Sequence, residues 1–154
     1  MKVEFWVIGK TSFSYLQKGI DDYKNRLNKM TNFKLSILPE IKDNNEKSLM
    51  KKEAKIVLDK LQTHDFLVLL DERGKTYSSI EFAKQIEEWQ MNSYKRLVFL
   101  IGGAYGFDQT LYDRANSKLS LSTMTFSHQI IRLIFMEQVY RAYSIIKGLP
   151  YHHG

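Results

Sequence analysis

No cysteine occurs in the 154 residues, which excludes disulfides, thiolate nucleophiles and cysteine-ligated metal sites. Proline occurs only twice, and no apolar run approaches the ~18 residues that a membrane-spanning helix needs. The opening MKVEFWVIGK holds an apolar stretch too short for a signal peptide and reads as a strand. A cytoplasmic address without membrane association is expected. Histidine is sparse as well: positions 64, 128, 152 and 153 lack the spacing of catalytic zinc ligands, so no metal is expected. Repeats, low-complexity tracts and linkers are also missing.

What is present describes an ordered globular chain. Hydrophobic residues make up 44% and aromatics 13%, well outside the composition of disordered segments. The length fits one domain, residues 1–154, able to bury roughly two-thirds of its unfolded surface. Net charge is +6, and it is unevenly placed. Residues 1 to 62 hold 13 Lys/Arg against 8 Asp/Glu, a balance of +5, whereas residues 63 to 154 hold 10 against 9. The amino-terminal surplus fits either solvated helix faces or a polyanionic partner such as nucleic acid.

Periodicity divides the chain into alternating strands and helices. Residues 2 to 8 alternate with Val3, Phe5 and Val7 on one side, and Gly9 ends the strand. Leu16, Ile20, Tyr23 and Leu27 define a helix between Thr11 and Lys29, with Thr11 or Ser12 as its cap. FKLSIL (33–38) is a strand, and a helix follows with Met50, Ala54, Val57, Leu58 and Leu61 on one stripe. DFLVLL (65–70) and RLVFLI (96–101) are continuous apolar runs, as expected for strands covered on both faces. DERGKTYSS between them reads as a loop, closed by the capping-box spacing of Ser78 and Glu81. Asp108 caps a short helix to about Ala115, KLSLS is a last strand, and a long helix runs from about His128 to Lys147, with Gly148 at its end. The alternation predicts an α/β fold with a mostly parallel sheet and helices on both faces. Ligands of such sheets bind beyond the carboxyl ends of the strands, here Leu70 with Asp71, Ile101 with Gly102, and Leu121 with Ser122.

The residues at those ends are chemically distinctive. Gly102, Gly103 and Gly106 allow a sharp turn and close ligand approach, but their spacing matches neither a phosphate loop nor a dinucleotide fingerprint. SLSTMTFSH sets five hydroxyls among Leu121, Met124 and Phe126, a mixture suited to a flat ring with polar edges, or to a strand edge and helix cap. The last helix is apolar on nearly every side, so a second copy of the chain is its expected cover. His128 and Arg132 share a helix face beside the hydroxyl loop and are candidates for a ligand or substrate contact. Glu137 and Arg141 share another, with the spacing of a structural salt bridge. Tyr151 and His152 in the PYHH tail suit stacking and proton transfer at a nucleic-acid base.

LLDERGK, FLIGGAYG and LSLSTMTFSHQIIRLIFMEQVYRAYSIIKGLPYHH together resemble the bacterial SPOUT-class methyltransferases that act on N3 of a pseudouridine in 23S ribosomal RNA. The resemblance covers essentially the whole chain. It implies an α/β sheet whose carboxyl-terminal part forms a trefoil knot, S-adenosylmethionine as methyl donor, and a homodimer acting on 23S ribosomal RNA, within the large subunit or the whole ribosome. It further implies cofactor contacts at Leu70, Gly102, Leu121, Ser122, Thr123, Met124, Thr125 and Phe126. His128, Arg132, Tyr151 and His152 are then the catalytic candidates, the last two supplied by the partner chain in one arrangement. Ala104 departs from the proline common at its position in the family. Two other readings stay open on the residues: a non-catalytic ribosome-binding module of the same fold, and a flavodoxin-like nucleotide-dependent enzyme.

Overall fold

A computed structural model describes residues 1–154. Ten elements alternate along the chain: β1 Lys2–Ile8, α1 Ser14–Asn28, β2 Phe33–Leu38, α2 Glu46–Lys60, β3 Asp65–Thr76, α3 Ser79–Gln90, β4 Arg96–Ile101, α4 Gln109–Arg114, β5 Ser117–Ser120 and α5 Ile130–Ile146. The strands form one sheet in the order β2-β1-β4-β3-β5, and every pairing is parallel.

Strand side chains alternate between faces, and two cores result. Val3, Phe5, Val7, Val68, Leu97 and Phe99 join the core that α1, α3 and α5 cover. Trp6, Leu67, Leu69, Val98 and Leu100 join the other, under α2 and α4. Burial on both sides explains the continuous apolar runs of β3 and β4. It also extends to β1, whose alternation suggested a single buried side: Trp6 is fully buried and Glu4 nearly so. The Glu4 carboxylate accepts from Trp6 Nε1 at 2.9 Å and from Arg96 Nη1 at 3.2 Å. Arg96 also grips Asp65 through two bonds of 2.8 and 2.6 Å, tying the amino ends of β1, β3 and β4 together.

Two boundaries differ from the sequence reading. The stretch expected to be a loop after Leu70 continues β3 to Thr76, because after leaving β4 behind it pairs again, through Lys75 and Thr76, with β5 alone. The register shifts between Leu70 and Lys75, both of which face Leu119. Gly74 lies so close to β5 that a Cβ there would meet Lys118 and Leu119 backbone atoms at 2.7–2.8 Å. The amino terminus of α1 is not capped by Thr11 or Ser12. Phe13 occupies the cap without a side-chain bond, and the Ser12 amide donates instead to Gln129 Oε1 at 2.8 Å.

The other caps follow their sequence signals. Ser78 and Glu81 form a reciprocal capping box, Asp108 accepts from the Thr110 amide, and Gly148 ends α5 at φ +69°. Helix α5 lies between α1 and α3, with Phe135 at the centre of the larger core, 4.7 Å from the Phe5 ring and 4.9 Å from that of Phe99. The chain itself thus covers most of this apolar helix, and an outer strip of Ile130, Ile134, Glu137 and Arg141 stays partly open. No helix is long and apolar enough to cross a membrane.

Candidate functional site

A cavity of about 330 Å³ opens where β3, β4 and β5 end. Three segments build it. The middle of β3, where it leaves β4, contributes Leu70, Asp71 and Glu72; the turn after β4 contributes Gly102, Gly103, Ala104, Gly106 and Phe107; the segment after β5 contributes Leu121, Ser122 and residues 124–128. Seven of the eight residues expected at a cofactor, Leu70, Gly102, Leu121, Ser122, Met124, Thr125 and Phe126, therefore line one cavity. Thr123 belongs to the same loop but not to the lining.

The glycine turn has a geometric reason. Gly103 and Gly106 form an antiparallel bridge closed by the Gly106 amide on the Gly103 carbonyl at 3.2 Å, and Gly106 has φ +86°. A Cβ on Gly102 would lie 2.9 Å from the Phe107 ring. On Gly103 it would lie 2.8 and 2.9 Å from the two Glu53 carboxylate oxygens. Glu53 belongs to the buried side of α2, is 8% exposed and makes no hydrogen bond through its side chain. Burial, then the neighbouring Glu40, pushes its carboxyl above the ordinary range.

The opposite wall is polar. Thr125 Oγ1 donates to Glu72 at 3.2 Å, joining the hydroxyl loop to the β3 extension across the cavity mouth. Within the loop the Met124 amide donates to Ser122 Oγ at 3.0 Å, and Ser120 Oγ to the Ser122 carbonyl at 2.9 Å. The Tyr112 hydroxyl donates to Asp71 and accepts from Arg73 Nη2 at 3.1 Å. Burial, with Asp71 next, raises the Tyr112 phenol above its ordinary value, so it remains a donor at neutral pH.

The four catalytic candidates separate into three places. His128 is exposed at the cavity rim. Arg132 is 2% exposed, and its guanidinium donates to the carbonyls of Ile8 and Gly9 at 2.8 Å each, to Thr11 Oγ1 at 3.3 Å and to the His128 carbonyl at 3.3 Å. Four of its five donors are thus committed to holding the end of β1 and the start of α5. Tyr151 and His152 sit at the far end of α5, a helix of 17 residues and so about 25 Å long. Tyr151 donates to Glu137 at 3.1 Å and shares a 2.9 Å bond with the Tyr23 hydroxyl, while Arg141 Nη1 meets His152 Nδ1 at 3.0 Å. Burial, then Tyr23 and Glu137, holds the Tyr151 phenol far above its ordinary range. The expected Glu137–Arg141 pair is present and anchors the tail. Within one chain, therefore, the tail does not reach the cavity.

Sequence reasoning placed Asp71 at a ligand-binding strand end but missed Glu72, Tyr112 and Phe107 as lining residues, and Glu53 behind the turn. Glu53 could have been found, because its spacing from Met50, Ala54 and Val57 puts a carboxylate on the buried stripe. No group of three or more His, Asp or Glu side chains is arranged to hold a metal ion.

Comparison with known proteins now adds to this geometry. A family model described as "Predicted SPOUT methyltransferase" matches residues 1–152. The chain belongs to the SPOUT methyltransferase family. Proteins named "Ribosomal RNA large subunit methyltransferase H" are similar to this SPOUT chain over 99% of its length. That of Parabacteroides distasonis is 47% identical with 99% of its own length covered, and that of Cytophaga hutchinsonii is 48% identical with 100% covered. That of Flavobacterium johnsoniae is 46% identical, again with 99% covered. A solved structure described as "a probable methylase family protein" from Haemophilus influenzae aligns with a TM-score of 0.54 at 11% identity, covering 99% of this chain and 70% of that one, which shows a shared fold. Membership implies the knotted carboxyl-terminal topology and a methyl donor.

Proposed function

We propose that this SPOUT protein uses S-adenosylmethionine to methylate N3 of a pseudouridine in 23S ribosomal RNA, acting as a homodimer on the large subunit or the whole ribosome. The observation that carries the reading is the cavity at the ends of β3, β4 and β5, lined by seven of the eight residues expected at the cofactor. Its size lies within the ~300–1,000 Å³ of small-ligand sites. Apolar walls from Leu70, Ile101, Leu121 and Phe126 suit a purine, the hydroxyl loop suits its polar edges, and the absence of Cβ atoms at 102 and 103 lets the turn pack tightly on Phe107 and Glu53. Leu70, Gly102 and residues 121–126 would hold the cofactor, Thr123 through the backbone of its loop. The names of the similar relatives support ribosomal RNA as the substrate.

When bound, the cofactor supplies an electrophilic methyl group with a neutral thioether as leaving group. The chain's own contribution is placement of the base and management of its N3 proton. His128, at the rim, presents an imidazole nitrogen that can accept that proton. Arg132 acts as a positioning residue, since its donors fix the loop that carries His128. Tyr151 stays protonated and so donates rather than accepts. Its distance from the cavity within one chain fits delivery, with His152, by the partner of a two-fold dimer. The exposed and stacked Phe13 and Tyr15, with exposed Ile130 on the neighbouring helix start, offer apolar surface for that partner.

Incubation with labelled S-adenosylmethionine and purified ribosomes, beside unassembled 23S RNA, tests the reading by nucleoside analysis. N3-methylpseudouridine is the expected product. Cofactor binding without label on any RNA would refute the substrate, and no cofactor binding would favour the non-catalytic module.

A further inference from the structure

The amino-terminal basic surplus has a definite place in the fold. Helix α2 carries Lys47, Lys51 and Lys55 at intervals of four, on one exposed face, with Lys52 beside them. These four lysines, with Asn45 and Ser48, line a shallow groove of about 510 Å³ that has no apolar residue in its wall. Asp43 and Asp59 partner Lys52 and Lys55, each at 2.8 Å, whereas Lys47 and Lys51 enter no ion pair. Exposed Glu46 and half-buried Asp108 are the remaining acids nearby, and Lys51 lies close enough to draw the Asp108 carboxyl below its ordinary range, after the hydrogen bonds of Thr110.

The groove is also next to the cavity. Helix α2 begins at the carboxyl end of the sheet, and its inner side sets Glu53 against Gly103 of the cavity turn. The lysines stand on the outer side of that same helix. Lys47 to Lys55 spans about 12 Å of helix axis, which faces about three charges of one nucleic-acid strand at about 3.4 Å per charge. A wall without apolar residues suits neither an acyl chain nor an amphipathic peptide. Ammonium groups are point charges that hold phosphates without reading bases.

We propose that this lysine groove on α2 binds the phosphate backbone of the RNA substrate beside the target nucleotide, keeping it in register while the base enters the cavity. The proposal rests on the ribosomal RNA reading above.

The test measures the salt dependence of binding to a 23S RNA fragment and to purified ribosomes, using the full-length Lys47→Gln/Lys51→Gln/Lys55→Gln variant. A Lys29→Gln/Lys84→Gln/Lys95→Gln variant removes the same charge from other surfaces and serves as the control. Each lost phosphate contact lowers the slope of log K against log salt by about 0.7 on single strands, so the groove variant should lose about 2. Its S-adenosylmethionine affinity should stay within twofold of wild type, which shows that the fold is intact. The control should keep the wild-type slope. A groove variant matching the control, beside a wild type that methylates RNA, overturns the groove alone. A wild type that methylates no RNA overturns the function on which it rests.

Discussion

Gly74→Ala is the sharpest probe of the β3 extension. The added methyl would lie 2.7–2.8 Å from three backbone atoms of Lys118 and Leu119, against 3.4 Å for ordinary contact. Strand β5 would have to retreat by about 0.7 Å. It has little freedom to do so, because its four residues pair with β3 both before and after the bulge. Overpacking of this kind costs about 1–3 kcal/mol. At about 2–4 °C per kcal/mol for a chain of this length, a cost near 2 kcal/mol lowers Tm by roughly 4–8 °C. The hydroxyl loop follows directly on Ser120, the last residue of β5, so S-adenosylmethionine should bind about tenfold more weakly, or ~1.4 kcal/mol. Gly19→Ala is the internal comparison, since its methyl meets only the mobile end of Leu133 at 2.9 Å and should cost less. Thermal unfolding and isothermal titration read both effects. A Gly74→Ala protein with Tm within 1 °C and affinity within twofold of wild type would mean that residues 71–76 do not lie against β5.

Gly103→Ala should weaken cofactor binding several-fold by pressing on Glu53, and Glu53→Ala should relieve it; a double-mutant cycle with no coupling would sink that contact. Because the folded state raises the Glu53 carboxyl, wild type loses stability as pH rises from the ordinary glutamate range through the raised value. Glu53→Gln should therefore gain on wild type across that window, and parallel denaturation curves from pH 4 to 8 would contradict this. Arg96→Met strands Glu4 and Asp65, both nearly fully buried, and should cost about 3–5 kcal/mol by urea unfolding. Tyr151→Phe should reduce kcat while leaving cofactor affinity within twofold, because Tyr151 stands far from the cavity of its own chain; unchanged turnover on ribosomes would remove Tyr151 from the reaction.

Much of the fold was legible because both sheet faces are covered. DFLVLL and RLVFLI could be read as strands without alternation, and Ser78, Asp108 and Gly148 marked helix ends by local chemistry. DERGKT was not legible. It lies beyond the end of β4 with one paired edge and much solvent exposure, so no hydrophobic signal marks it as strand. The cavity residues were legible because ligand sites of parallel sheets gather at carboxyl strand ends. The anchoring of Arg132 on Ile8 and Gly9, and of Tyr151 on Tyr23 and Glu137, joins residues more than a hundred positions apart in three of these four contacts. No local pattern encodes such distances.

The Arg132 contacts also bear on how the molecule comes into being. Strand β1 leaves a ribosome well before α5, yet the Ile8 and Gly9 carbonyls at its end find their side-chain partner, and the Phe5 ring its closest aromatic one, only on α5. At about 5–20 residues per second, roughly 6–25 s pass before those partners emerge. Throughout that interval a nascent chain carries an unfinished apolar strand, and native assembly awaits the last helix. Loop closure of such length makes folding slow, and the period just after translation is when this protein most needs protection from aggregation.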